Sequence, residues 1–526
     1  MSRPLVSIAL LVLFVCGLLP LALMLARIEP ADVAGLADVR TLSLLGRTLW
    51  LGGATAALAS LLGLPFGFLV ARADVPGASW MRTLGTVPLL LPPLLLAMTW
   101  AVVWTGLRGA SGTIFMLTLS TFPLVAIFSA RAFERIDASA EEAALIAGGL
   151  RAVLRMELPL VLPAAATGAC LAFVFAINDF GVPDYVSSVG PKFNVYADEV
   201  KLNWDQIGEP GKAVATSLPL ILVTLAALLP ALVLRRRGSM ASLGERFRPP
   251  TTLRLGAARW PAAAFALLLL VAAVFVPVLR LAWEAAAMPQ QLQSASGLAA
   301  LAQGLARMRL ELGNALELAR ADLGRSLVYS SSAALLCVPV GLVLGHAIER
   351  TRSRWFGRSL EALCVLPIAA PALLFGIGMI TTWNHDWSAR FYDGGGMAVL
   401  LLFSRFLPFA VLVSSGAVAS LAPSLEEAGA LAGARPARRL FRIVAPTLRG
   451  SLLASFVLVF VFSMRDLDSA ILIPAANRTA IFRVFNGVHF GRDSYVAALA
   501  LLLVFATVLP AVLYSLFGRK RLELLP

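Results

Sequence analysis

Charge is scarce in this chain. Asp, Glu, Lys and Arg make up 14% of it, against roughly a quarter of an ordinary soluble domain. With 59% hydrophobic residues, a soluble globular fold is excluded and a polytopic membrane protein is expected. Histidine is rarer still. His346, His385 and His489 lie in separate segments without metal-ligand spacing. The four cysteines, Cys16, Cys170, Cys337 and Cys364, all sit inside apolar runs and form no CxxC pair. They read as small buried hydrophobes, not as a disulfide framework or a metal site. No nucleotide-binding loop is present. Gly208-Glu209-Pro210-Gly211-Lys212-Ala213 has a Gly-Lys pair, but lacks the P-loop spacing and the following Ser or Thr. No Ser-His-Asp or paired-carboxylate arrangement can be argued from the order of residues. The net charge of +14 raises nucleic acid as a partner. Its basic residues, however, cluster at the ends of apolar runs, with no basic stripe interleaved with aromatics, so nucleic acid is not expected.

What is abundant is apolar sequence in lengths of about 20 residues, the length that crosses a bilayer. The first half offers 5–26, 48–70, 84–105, 113–130, 160–177 and 214–234, and the second 261–283, 327–347, 360–383, 397–419, 448–464 and 495–517. The run 5–26 lacks a clean small-residue cleavage site and is followed by further spans, so it reads as a retained first helix and not a signal peptide. The expected fold is all-α and polytopic, with about twelve transmembrane helices in two parallel six-helix repeats. The expected domains are 1–237, a polar Pro-containing linker 238–260, and 261–526. Pro159 and Pro446 stand 287 positions apart, as do Asp179 and Asp466, whereas Gly148 and Gly433 stand 285 apart. An even number of spans per repeat keeps both copies in one orientation about an axis along the membrane normal. Arg72, Arg82, Arg131, Arg135, Arg151 and Arg155 fall on one side, joined by Arg350, Arg352, Arg435, Arg438, Arg439 and Arg442 and by the clusters Arg235-Arg236-Arg237 and Arg519-Lys520-Arg521. The positive-inside rule makes that side, and both termini, cytoplasmic.

Two stretches on that side organise the rest. Residues 141–163 read EEAALIAGGLRAVLRMELPLVLP, too polar to cross a bilayer. A short helix begins at Glu142-Ala143-Ala144, Gly148-Gly149 breaks it, and a basic helix leads to Leu158-Pro159. A second copy, 426–446, reads EEAGALAGARPARRLFRIVAP, with Glu427-Ala428-Gly429, then Gly433, Ile443 and Pro446. Each copy lies between the fourth and fifth apolar runs of its half. A helix–Gly–helix with small residues and polar anchors suits docking into another protein's groove. A plain amphipathic surface loop is the competing reading, and two copies in equivalent places count against it.

These residues resemble the EAA loop of ABC importer permeases: Glu-Ala-Ala, three residues, Gly, nine residues, Ile, any residue, Leu-Pro. The second copy keeps that spacing from Glu427 to Pro446, with Gly429 for the third small residue and Ala445 for Leu. The first matches at Glu142, Ala143, Ala144 and Gly148, then reaches Leu158 and Pro159 two residues early. The resemblance implies that each loop is a coupling helix that docks on a separate ATPase subunit, two copies in all. It also implies a periplasmic substrate-binding protein on the opposite face and a place in the bacterial inner membrane. ATP would be used by the partner, and this chain would bind no cofactor, hold no metal of its own and break no covalent bond. The fused two-half length and the stretch after the fifth run, FVFAINDFGVP at 173–183, resemble ferric-iron permeases in particular.

Asp179 and Asp466 each stand where a fifth apolar run ends. Ionisable groups near membrane depth face a cavity or a partner. Either these acids flank the translocation path, or they cap and pair at the interface, Asp466 with Arg465. Pro88, Pro92 and Pro93 in one third run, and Pro367 and Pro371 in the other, read as packing kinks or gating hinges. An ion-coupled secondary transporter is the rival function, but it would need mid-span acids and gives no reason for two such loops. A membrane enzyme acting on lipid would need clustered His, Asp or Glu at one face. Within the importer class ferric iron is the first substrate, with a phosphonate or thiamine-type solute as rivals.

Overall fold

The computed structural model describes residues 3–205, 210–239, 248–287, 298–489 and 493–517. The turn at 208–209, most of the linker (240–247) and the basic cluster at 519–521 lie outside them. Every regular element described is helical. The chain is an all-α polytopic membrane protein: nine described helices are long and apolar enough to span a bilayer, and up to twelve do so if three bent pairs are each one span.

Two of those bent pairs are the proline-rich third runs. Ala78–Leu90 meets Pro93–Val103 at 98°, and Arg354–Ala369 meets Ala372–Trp383 at 94°. These are right-angle breaks and not kinks. Leu91 (φ −80°, ψ 135°) and Ala370 (φ −75°, ψ 134°) are extended, as suits a residue that precedes a proline, whose ring disfavours the helical conformation there. Pro92 and Pro371 then supply no N–H to continue the ladder.

The chain forms two compact units: Val39–Asp198 with Pro219–Arg280, and Met1–Asp38 with Glu199–Leu218 and Leu281–Pro526. In the first, Val39–Arg72 lies along Gly109–Glu134. A Cβ at Gly63 or Gly67 would come within 2.6 Å of the Phe122 or Ala126 carbonyl oxygen. In the second, Leu298–Arg350 lies along Gly396–Ala419 through Gly341 and Gly345, which back onto Ala410 and Ser414-Ser415. Lipid gives apolar helices no reason to avoid it, so close backbone approach through small residues drives this pairing.

The units are not the two repeats. The helix Pro4–Leu25 belongs with the second repeat: the Cys16 carbonyl accepts from the Ser404 hydroxyl at 2.8 Å, and Gly378 backs onto the Pro20 carbonyl. The first apolar helix of the second repeat likewise packs within the other unit, where Trp100 Nε1 donates to the Ala272 carbonyl at 3.0 Å.

Candidate functional site

The first loop begins at Asp137. Its carboxylate accepts from the Ser139 amide at 2.8 Å and so caps the helix that starts at Ala138. The hydrogen bonds from Ser139 and Arg248 hold this carboxyl below the usual range. The helix Ala138–Asn178 is interrupted at Gly148 (φ −174°) and Gly149 (φ 63°, ψ −156°). The conformation of Gly149 is one that only glycine adopts readily. Beyond it the helix runs unbroken through Pro159 to Asn178.

The second loop is built differently. Pro423–Leu431 ends in a Schellman turn: Ala434 N donates to Gly429 O at 3.0 Å and Gly433 N to Ala430 O at 2.9 Å, with Gly433 at φ 78°. A Cβ on Gly429 would lie 2.6 Å from Ile443 Cδ1, so the third small position of this copy packs on its isoleucine. Pro436–Thr447 then meets Arg449–Arg465 at 81°. The two residues missing from the first copy fall between Gly433 and Val444 of the second, a stretch that holds the π-helical turn Leu440–Val444.

What fixes each loop to its span is the glutamate before the motif. Glu141 is buried, 2.7 Å from Arg72 Nη2, and the same nitrogen donates to the buried Glu157 at 3.0 Å. In the second repeat Arg350 Nε donates to Glu426 Oε1 at 2.8 Å, and His346 Nε2 lies 2.7 Å from Glu426 Oε2. Burial opposes ionisation of Glu426, but the hydrogen bonds from His346 and Arg350 outweigh it and lower its pKa. Arg72 and Arg350 end equivalent helices, 278 positions apart like Gly63 and Gly341. Val444 stands where the first repeat has Glu157, and Phe68 where the second has His346.

With their neighbours anchored inward, the motif residues face out. Glu142, Ala143, Gly148, Leu158 and Pro159 are exposed, as are Glu427, Ala428, Gly433 and Pro446; Ala144, Gly429 and Ile443 are half-buried. The most exposed large apolar side chains of the two loops are ones the motif does not contain. Ile146 is 89% exposed and Leu431 is 91% exposed. They stand 285 positions apart, at the same place in the two loops.

The two aspartates sit at the other ends of the fifth helices. Asp179 Oδ1 accepts from the Val182 amide at 2.9 Å, capping Gly181–Val189. Asp466 caps Leu467–Ala470 and lies 3.3 Å from Arg405 Nε. It also lines a small pocket with Ser326, Tyr329, Ser330, Ser463 and Thr479. Capping is thus present at both positions, and the Asp466 pocket is rich in hydroxyls. Among the described residues no cluster of three His, Cys, Asp or Glu side chains has a metal-binding arrangement.

A helical membrane chain whose two repeats each present an outward-facing polar loop, pinned to its own span, has the form of a transport permease that is driven from outside itself. The family model described as "Binding-protein-dependent transport system inner membrane component" matches residues 63–284 and 337–523. The chain belongs to this family. It is an inner-membrane ABC importer permease and not an enzyme, and its family works with a binding protein and an ATPase. It is 22% identical over 495 residues to the Fe(3+)-transport system permease protein FbpB 2 of Haemophilus influenzae, covering 91% of each chain. It is 28% identical over 153 residues to the molybdate/tungstate transport system permease protein WtpB of Thermococcus kodakarensis, covering 28% of this chain and 62% of that one. With the sulfate transport system permease protein CysT of Escherichia coli it shares 29% identity over 186 residues, 33% of this chain and 66% of that one.

Proposed function

We propose that this chain supplies both transmembrane halves of a ferric-iron importer, 1–237 and 261–526, and that each half docks one ATPase subunit on its loop. The observation that carries the docking is the equivalence of Ile146 and Leu431. Each is a large apolar side chain, about nine-tenths exposed, at the same position of a loop whose base is pinned by Arg72 or Arg350. An apolar side chain held out on a rigid base is what a partner's groove takes as an anchor. Glu142, Ala143, Ala144, Gly148, Leu158 and Pro159 shape the first docking element, and Glu427, Ala428, Gly429, Gly433, Ile443 and Pro446 the second.

ATP binding to the two partner subunits would draw the loops together, and the pinned spans would follow. That is a two-state gate biased by a ligand bound elsewhere. The arginine-rich side is then cytoplasmic, with both termini. Asp179 and Asp466 flank the path at its far end, a reading that the hydroxyl-lined pocket beside Asp466 supports. Iron is favoured because the relative that aligns over nine-tenths of this chain, and so shares its two-half length, is a ferric permease.

The test is a pull-down of the tagged chain from its native membrane. Wild type is expected to bring down an ATPase with a P-loop, at about two copies per chain. Glu142→Lys with Glu427→Lys is expected to lose it while the permease stays folded. ATP-dependent uptake of ferric iron, but not of molybdate or sulfate, by vesicles holding the full complex would support the substrate. Uptake driven by a proton or sodium gradient alone would overturn the importer mechanism.

A further inference from the structure

The end of the linker is not a free tether. Its residues 248–255 run between the end of the second span and the first loop, hydrogen-bonded to both. Arg248 N donates to Asp137 Oδ2 at 3.0 Å, and the Arg248 carbonyl accepts from Ala138 N at 3.0 Å. Leu253 N donates to the Arg72 carbonyl at 2.6 Å, Asp74 N returns to the Leu253 carbonyl at 3.1 Å, and Leu255 N donates to Asp74 Oδ1 at 2.8 Å. Leu253 is buried. Arg72 therefore holds the loop with its side chain and the linker with its backbone.

This strap also reaches the motif. The Arg248 guanidinium meets Glu142 at 3.1 and 3.4 Å, with side chains 62% and 52% exposed. An exposed pair contributes little to stability, so its consequence lies in the surface it makes. The first loop offers a glutamate already paired with an arginine, and Thr251 and Thr252, further along the strap, are exposed. In the second loop Glu427 is exposed, and none of the ion pairs seen among the described residues includes it.

We infer that residues 248–255 are part of the docking surface for the ATPase subunit on the first half, so that the two docking sites of this chain are chemically unequal. The inference rests on the coupling reading proposed above and goes beyond it. The first ATPase meets a composite of loop and strap, with the motif glutamate neutralised. The second meets a loop that carries its negative charge outward. The strap meets Glu142 through Arg248 and is pinned at both ends, so a partner seated on Ile146 and Glu142 also meets Arg248, and we extend that contact along the strap to the exposed Thr251.

The experiment uses the full-length chain in detergent, with single cysteines at Thr251, Ile146 and Leu431, and the ATPase subunit that co-purifies with the wild-type chain. The wild-type chain, whose native cysteines lie within apolar helices, gives the labelling background. Maleimide labelling is measured with and without the ATPase. Protection at Ile146→Cys, Leu431→Cys and Thr251→Cys alike, by about tenfold in rate, is the expected result. Protection at Ile146→Cys and Leu431→Cys with Thr251→Cys labelled as before would overturn the strap's role and leave the coupling reading standing. Labelling unchanged at all three would sink the coupling reading itself. Arg248→Glu is a second arm. It is expected to weaken ATPase binding when Glu427→Lys has already disabled the second site, and unchanged binding in that background would count against the composite surface.

Discussion

Arg72 and Glu157 meet at 3.0 Å with neither side chain reaching solvent, and Glu141 closes on the same guanidinium nitrogen. Two carboxylates thus face one cation. The second repeat avoids this surplus by placing Val444 where Glu157 stands. Glu157→Val would leave a one-to-one pair of Arg72 and Glu141, and its thermal stability in detergent is expected to match or exceed wild type. Arg72→Leu strands two buried acids and is expected to cost about 3–5 kcal/mol. Equal damage from both variants would show that Glu157 is needed in its own right.

Sequence pattern exposed the helical class, the two-fold repeat and the two loops, because each rests on local periodicity or on a spacing that recurs. The residues that anchor the loops were also written there. The doubled glutamates 141-142 and 426-427 recur at one offset, and the arginines that end the second spans recur at another. The Gly63-x-x-x-Gly67 and Gly341-x-x-x-Gly345 pairs are a known sign of close helix packing, and they too repeat. Ile146 and Leu431 were visible as bulky apolar residues inside polar loops. The strap, the exchange of first helices between units and the choice of Arg405 beside Asp466 were not legible. Each depends on contacts between segments far apart in sequence, which no local pattern records. The right-angle breaks at Leu91 and Ala370 fall between: the prolines mark the positions, but tertiary packing sets the angle.

The glycines of the first loop separate two roles. The motif spacing selects Gly148, yet Gly148 has a φ of −174°, and it is Gly149 that has the positive φ. Gly149→Ala is expected to lose about 1–3 kcal/mol of loop stability and most of the ATPase coupling. Gly148→Ala is expected to be milder, because its φ of −174° lies outside the left-handed region, although a Cβ there would come within 3.1 Å of the Ala152 methyl. ATPase stimulation in the assembled complex separates the two. In the second loop Gly433→Ala carries the penalty, for the same reason of positive φ.

Acid should loosen the second loop through Glu426. Its folded pKa lies below the ordinary glutamate value of about 4.3. The stabilisation it gives is therefore full above that value and is lost as pH falls through the lower folded value. Leu431 is already 91% exposed, so the measurement belongs on backbone exchange over 423–434. Protection there, taken relative to the intrinsic exchange rate at each pH, is expected to fall at acid pH in wild type more than in Glu426→Gln. Asp137, also held below its usual range, follows the same sign in the first loop. A wild-type protection factor that is flat between pH 6 and the mid-acid range agrees with these directions, and a loss of protection already near neutrality contradicts them.

The exposed apolar pair gives the sharpest separation of folding from docking. Ile146 and Leu431 contribute little to the permease's own core, since about nine-tenths of each side chain is already in solvent. Ile146→Asp and Leu431→Asp should therefore leave the melting temperature in detergent unchanged. If each fills a groove in an ATPase subunit, burying an aspartate there removes an anchor and adds an unpaired charge. Loss of such an anchor costs about 2 kcal/mol or more, which is roughly thirtyfold in affinity. Each single variant should weaken one of two sites, and the double variant should release the ATPase altogether. Because the first site also includes the strap, Leu431→Asp should weaken its own site more than Ile146→Asp weakens the first. Two equal losses would mean that loop and strap do not act as one surface.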